Sequence, residues 1–157
     1  MEEIERKYRV VSTEFKDDSH QKYTIKQGFL NTHPERTVRV RITGSTAFLT
    51  IKGKSTADGL SRFEWEKEID ANEATQLLAL CEPGMIVKDR YLVKKGNFTF
   101  EIDEFYGENE GLIVAEIELN NKTDSFEKPN WLGEEVTGDT RFYNSQLSKN
   151  PYKYWKK

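Results

Sequence analysis

Acidic residues recur two apart along this chain, and so do basic ones. Glu3 and Glu5, Glu64 and Glu66, Glu101 and Asp103, and Glu116 and Glu118 pair acid with acid, whereas Arg39 and Arg41, and Lys88 and Arg90, pair base with base. Side chains at i and i+2 of a strand stand about 7 Å apart on one face, so each pair repels by roughly 0.6 kcal/mol in water and several-fold more in a partly desolvated cavity. Such rows make sense if they face something of opposite sign. Paired carboxylates suit hard divalent cations, which take oxygen ligands; paired Arg and Lys suit phosphate.

The elements that must position these pairs are strands. Around each pair the sequence alternates with period two, one parity apolar and the other ionisable: residues 3–8, 38–42, 49–52, 63–68, 87–91, 100–103 and 115–119. Residues 24–30 read as an eighth strand on β-branched and aromatic content. Turn residues at 44–45, 53–59, 95–97 and 107–111 fall at hairpin spacing. The expected fold is therefore mainly β (α+β): an up-and-down, closed eight-stranded antiparallel β-barrel with a few short flanking helices, in one domain over residues 1–157. A helix is expected from an Asn72 cap through Cys81, another from Asp139 through Leu147, and a shorter one after Ser12.

For any one strand the charged parity could equally face water. The set argues for a shared lumen. Glu3, Glu5, Glu64, Glu66, Glu68, Glu101, Asp103, Glu116 and Glu118 against Lys7, Arg39, Arg41, Lys52, Lys88 and Arg90 leave that lumen at -3. Two divalent cations would take it to about +1, so that metal and a phosphate anion bind interdependently.

Composition narrows the rest. The 157 residues suffice for one core, and with 36% hydrophobic residues and a mean hydropathy of -0.79 no run approaches the roughly 18 apolar residues of a membrane span. The charged opening MEEIERKYRV is neither a secretory signal nor a transit peptide, so a cytoplasmic protein is expected. Cys81 is the only cysteine, which excludes an internal disulfide and a thiolate metal cage. The net charge of -3 argues against a nucleic-acid binder.

The ordered set of motifs resembles the CYTH superfamily, or triphosphate tunnel metalloenzymes. Glu3-x-Glu5-x-Lys7 is followed by Gln27, Gly28 and Leu30, by Arg39-Val40-Arg41, by Lys52-Gly53, and by Arg62 with Glu64 and Glu66. Lys88-Asp89-Arg90, Glu101-Ile102-Asp103, Glu116-Ile117-Glu118, Glu135-Val136-Thr137 and Tyr143-Asn144 complete it. The EIERK opening and GEEVTGDTRFYN ending are most similar to the small bacterial inorganic triphosphatases. The resemblance implies hydrolysis of tripolyphosphate with Mg²⁺ or Mn²⁺, two ions in all. Under it, Lys7, Arg39, Arg41, Lys52, Lys88 and Arg90 hold phosphate oxygens, and Glu3, Glu5 and Glu118 hold a first metal. Asp103 and Glu116 are the candidates for a second metal, Glu64 and Glu66 orient water or metal ligands, and Lys88 places the water. Phe29 stands where many members carry Tyr, so no phenolic hydroxyl serves at that position.

Other residues carry plainer expectations. His20 and His33 fall in loops and Cys81 on a packed helix face, none of them in a chemical role. Tyr143 and Asn144 either reach the tunnel mouth or cap and pack the last helix. Residues 53–59 contain Lys54 and Ser55 but lack P-loop spacing and read as a mobile hairpin tip. Phe63, Trp65, Phe98 and Phe100 lie on the apolar parity, expected outside; if short helices leave part of it bare, a homodimer would cover the remainder. The competing functions are a class IV adenylate cyclase, a nucleoside or thiamine triphosphatase, and a polyphosphate or nucleotide binding module without turnover.

Overall fold

The computed structural model describes residues 2–156. Nine strands form in chain order: β1 (Glu2–Val10), β2 (Gln21–Asn31), β3 (Arg36–Thr43), β4 (Thr46–Gly53), β5 (Ser61–Ile69), β6 (Ile86–Lys95), β7 (Phe98–Phe105), β8 (Ile113–Glu118) and β9 (Leu132–Glu135). Three short helices accompany them: α1 (Phe15–Asp18), α2 (Ala71–Leu78) and α3 (Asn144–Leu147). The sheet runs β5-β4-β3-β2-β6-β7-β8-β1-β9, entirely antiparallel, and β1 pairs back onto β5 through Glu2↔Phe63, Glu3↔Arg62 and Ile4↔Ser61. Eight strands thus close a barrel, as the alternation predicts. The ring is not the simple meander expected, because β2 lies beside β6 and β1 lies between β8 and β5. No run of alternating residues announces β9, which at four residues is too short to show a period.

Closure puts the ionisable parity inside and the apolar parity outside, so the main hydrophobic packing is external. On β1, β6, β7 and β8, Tyr8, Tyr91, Val93, Phe100, Ile102, Ala115 and Ile117 form a buried layer. Phe15 of α1 covers it with Trp131, the Phe15 ring meeting Tyr91 edge-on at 5.2 Å and Trp131 meeting Phe100 at 5.3 Å. Val40 and Ala47, with Leu49, are covered by Ala74 and Leu78 of α2. That helix begins earlier than expected: Asp70, rather than Asn72, accepts from the Asn72 and Glu73 amides, and the helix ends at Leu78. Cys81 lies beyond it, packed so close to Gly28 that a Cβ there would stand 3.0 Å from both Cys81 Cβ and Sγ. Glycine at 28 therefore sets how closely the segment after α2 sits on the sheet.

One end of the lumen is apolar. Phe29, Ile86, Phe105 and Val114 continue the inward parity of their strands and pack with Phe142 and Leu147. The single helix expected over 139–147 is broken at Tyr143, whose backbone is extended (φ -70°, ψ 134°) between a 3₁₀ turn at Thr140–Phe142 and α3. The break lets Phe142 and Leu147 enter the plug while Tyr143 and Asn144 reach the cavity. Among the described residues no helix is long and apolar enough to cross a membrane.

Where β1 leaves β5, residues 136–138 fill the seam: Lys7 N–H donates to Thr137 Oγ1 at 2.9 Å and Val136 N–H to Lys7 O at 2.8 Å. Gly59 and Gly138 touch there, both left-handed at φ +76° and +81°, and a Cβ on Gly59 would lie 2.4 Å from Gly138 Cα. Gly59→Ala should cost about 1–3 kcal/mol through strain and clash together. A denaturant midpoint equal to that of the unsubstituted protein would contradict this.

Candidate active site

The barrel encloses a cavity of about 250 Å³. Glu3, Glu5 and Lys7 reach it from β1, Arg39 and Arg41 from β3, Lys52 from β4, Glu64 and Glu66 from β5, Lys88 and Arg90 from β6, Glu101 from β7, and Glu116 and Glu118 from β8. These side chains meet because their registers interlock, with Glu5 opposite Glu118, Lys7 and Glu101 both opposite Glu116, and Lys52 opposite Glu64. Two expected lining residues do not reach it. Glu68 lies near the end of β5, where the side chain is exposed, and Asp103, on the inward parity between Glu101 and Phe105, is buried beneath Arg90 and Lys88 and is not among the lining residues. With Arg62 added, seven carboxylates face seven cations among the described lining residues, a formal balance rather than the expected excess of three negatives.

The cationic side is held by side chains that use only part of their capacity. Arg41 Nε donates to Gln27 Oε1 at 2.8 Å, and Gln27 Nε2 donates to Asn144 Oδ1 at 2.8 Å. Arg39 Nη2 donates to Thr50 Oγ1 at 3.2 Å and lies 3.6 Å from Glu66, while its buried Nε has no partner among the described residues. Lys52 Nζ bridges Glu3 at 3.1 Å and Glu64 at 3.3 Å. Burial, reinforced by the other guanidinium groups, pushes Arg41 down to about 9, still charged at neutral pH. A buried unpaired donor and crowded cations are the features an anion would relieve.

Asp103 departs from the expected second-metal position. Its two oxygens are taken by Arg90 Nε at 2.8 Å and Nη2 at 2.9 Å, with Lys88 Nζ at 2.8 Å from the latter oxygen. The bidentate clamp makes Asp103 the buried counter-charge that fixes Arg90 and Lys88. Burial lowers Lys88 to about 7, with Asp103 opposing and Arg90 and Arg41 adding to the fall. Arg90 Nη1 also reaches Glu101 at 3.2 Å.

On the acidic side the carboxylates crowd one another. Burial first, then Glu116, raises Glu5 well above the usual range; Glu116 is held well below it, despite burial, by Lys7 and the Glu5 hydrogen bond. The two titrate as one pair, ionisation of either opposing that of the other. Burial also raises Glu3 and Glu118, the latter reinforced by Glu3 and Glu101. An oxygen-only set whose members resist joint ionisation fits a hard divalent cation, whose charge would offset their repulsion. Among the described residues no three carboxylates converge on one point as their side chains stand, so ligation would need rotamer changes.

Several lining residues escaped selection as site residues. Arg62 has a plain signal, being two before Glu64 on the same parity; its Nε donates to Gly53 O at 2.9 Å. Tyr143 lies between two cations, 5.0 Å from Lys7 Nζ and 5.8 Å from the Arg62 guanidinium, and its hydroxyl meets Ser55 Oγ at 3.3 Å. Thr137 and Ser145 carry no charge pattern that could have marked them. Phe29 lines the cavity without a polar atom, and neither His20 nor His33 reaches it.

The barrel is closed, antiparallel and lined by balanced acids and bases, and comparison with known proteins gives its family. The family model described as the CYTH domain matches residues 1–150. Over 155 residues the chain is 46% identical to an inorganic triphosphatase of Acetivibrio thermocellus, covering 98% of this chain and 97% of that one. It is 35% identical over 152 residues to an inorganic triphosphatase of Nitrosomonas europaea, covering 94% and 97%. A crystal structure of an inorganic triphosphatase matches with a TM-score of 0.66 at 31% identity, covering 92% of this chain and 96% of that one. The chain belongs to the CYTH family.

Asp103→Asn should destabilise by about 3–5 kcal/mol, because Lys88 and Arg90 stay buried without their shared counter-charge. Arg90 and Lys88 hold the Asp103 carboxyl far below its ordinary value against burial, so its contribution is present above the unfolded value of about 3.9 and lost as pH falls. Stability of the Asn variant should therefore fall less than that of the unsubstituted protein between pH 5 and 2. Denaturant curves that stay parallel over that range would contradict the assignment.

Proposed function

We propose that the chain is a metal-dependent inorganic triphosphatase, hydrolysing tripolyphosphate to pyrophosphate and phosphate with Mg²⁺ or Mn²⁺. The observation that carries the reading is the enclosed lumen in which seven carboxylates and seven cations balance while Arg39 keeps a buried unpartnered donor. The names of the two sequence relatives support the same substrate. Two divalent cations on the acidic side would leave the lumen strongly positive, suited to a multiply charged condensed phosphate. Glu3, Glu5, Glu116 and Glu118 are the residues that would hold them. A bound divalent ion supplies charge neutralisation and a more acidic water.

The chain's own residues do the positioning. Arg39, Arg41, Lys52 and Arg90 grip phosphoryl oxygens, and Lys7 and Lys88 hold charge near the bond that breaks. Glu64 and Glu66 orient water by accepting its hydrogen bonds, and Lys88, which lines the same cavity, places the attacking oxygen. Phosphoryl transfer asks mainly for alignment and charge stabilisation, and contacts that tighten on the equatorial oxygens raise the rate. A small-molecule triphosphate is the partner this requires.

A phosphate-release panel over tripolyphosphate, ATP, thiamine triphosphate and pyrophosphate, each with Mg²⁺, Mn²⁺ or chelator, tests the reading. Release from tripolyphosphate that chelator abolishes is expected; dominant turnover of ATP, or activity surviving chelator, would overturn it. Glu5→Gln and Glu118→Gln should abolish metal-dependent turnover with the fold retained, and full activity in both would remove the metal assignment. Arg39→Ala should raise KM for tripolyphosphate by roughly 10- to 150-fold, as loss of a charge-assisted contact implies; an unchanged KM would remove Arg39 from the site.

A further inference from the structure

Asn144 stands where the C-terminal segment meets the most buried part of the lumen. Its Oδ1 accepts from Lys88 Nζ at 2.8 Å and from Gln27 Nε2 at 2.8 Å. The amide orientation is fixed through Gln27: a guanidinium only donates, so Gln27 turns its oxygen to Arg41 and its N–H to Asn144, whose oxygen must accept. The chain of bonds runs from Arg41 through Gln27 to Asn144, where Lys88 also donates. Asn144 Nδ2, on the other side of the planar amide, has no protein partner among the described residues, and Asn144 lines the cavity.

We propose that Asn144 is a phosphate-binding residue of this site, its side-chain N–H groups donating to oxygens of the phosphoryl group held beside Lys88. The inference rests on the triphosphatase reading only for the identity of the anion. Donors alone are useful there. Lys88 already spends one N–H on Asn144 and another on Asp103, so a neighbouring amide restores a hydrogen bond to the phosphoryl oxygens without adding charge to a crowded cationic wall. The extended backbone at Tyr143 is what brings Asn144 to the lumen, which gives the break between the 3₁₀ turn and α3 a functional reason.

A purely structural role predicts that Asn144 acts through Lys88, and a double-mutant cycle separates the two cases. Asn144→Ala is measured alone and in a Lys88→Met background, with kcat/KM from phosphate release and, where turnover is lost, Kd for tripolyphosphate with Mg²⁺ by calorimetry. A loss of about tenfold or more is expected in both backgrounds. An effect within twofold in the wild-type background, or one that disappears once Lys88 is Met, overturns the proposal. Asn144→Asp keeps both accepted hydrogen bonds but presents a carboxylate oxygen in place of the N–H groups, so wild-type kcat/KM in that variant overturns it as well. If Asn144→Ala unfolds, Asn144→Ser replaces it, since a hydroxyl suits the start of α3 but is too short to donate into the lumen. Failure of the triphosphatase reading is separately visible. It shows as absence of phosphate release from tripolyphosphate by the wild-type protein, in which case the same cycle is run on whichever triphosphate the panel identifies. If the wild-type protein turns over none of them, the cycle is read from Kd for tripolyphosphate with Mg²⁺, and a Kd that Asn144→Ala leaves within twofold overturns this proposal.

Discussion

The neutralisation of carboxylates by ammonium and guanidinium groups across a narrow, partly desolvated bore is the constraint on which the rest of this molecule depends. An isolated charge there would be costly, so each row of like charges is tolerable only because closure of the barrel brings a row of opposite sign opposite it. Asp103 shows the principle at its most buried. It lies outside the cavity, yet it holds Lys88 and Arg90 in place by giving both the same counter-charge. The acidic side is less completely neutralised, and burial with the neighbouring Glu116 raises Glu5 well above the usual carboxylate range.

Placing charge inside moves the hydrophobic work outside. A conventional barrel fills its interior with apolar side chains; here Phe100, Ile102, Ile117 and Val40 point outward and need cover. Very little helix supplies it. The four residues of α1 contribute Phe15, α2 contributes Ala74 and Leu78, and the segment before β9 contributes Trp131. The C-terminal segment does two things at once: Phe142 and Leu147 complete an apolar plug, and Tyr143 and Asn144 enter the polar lumen. The plug and the site are therefore coupled through a few consecutive residues, and a change in α3 packing would be felt at Lys88.

Most of the site was legible because strand alternation is local. Glu3, Glu5, Lys7, Arg39, Arg41, Lys52, Lys88, Arg90, Glu116 and Glu118 share a face on their own strands, which period-two spacing states directly. Asp103 has the right parity and the wrong depth, and Glu68 has the right parity but lies near the end of its strand. Spacing reports direction and says nothing about how far along the barrel axis a residue sits. Asn144 and Tyr143 belong to no strand at all, so no periodicity could place them. The helix ends shifted for a related reason: Asp70 and Asn72 are both good caps, and only the packing of Ala74 and Leu78 against Val40 and Ala47 chooses between them.

By itself, the order of amino acids determined eight of the nine strands, the face each charge would occupy, and the chemistry suited to paired acids and paired bases, because these follow from backbone geometry within a few residues. Tertiary structure decided that the ring closes between β1 and β5, that β9 and residues 136–138 fill the seam, and that Arg62 and Asn144 join the lumen. It also decided that Asp103 is a buried counter-charge to the cations rather than a residue lining the cavity. Those outcomes depend on contacts between segments as far apart as residues 7 and 137, where shear of the barrel and close packing set distances that no local pattern encodes.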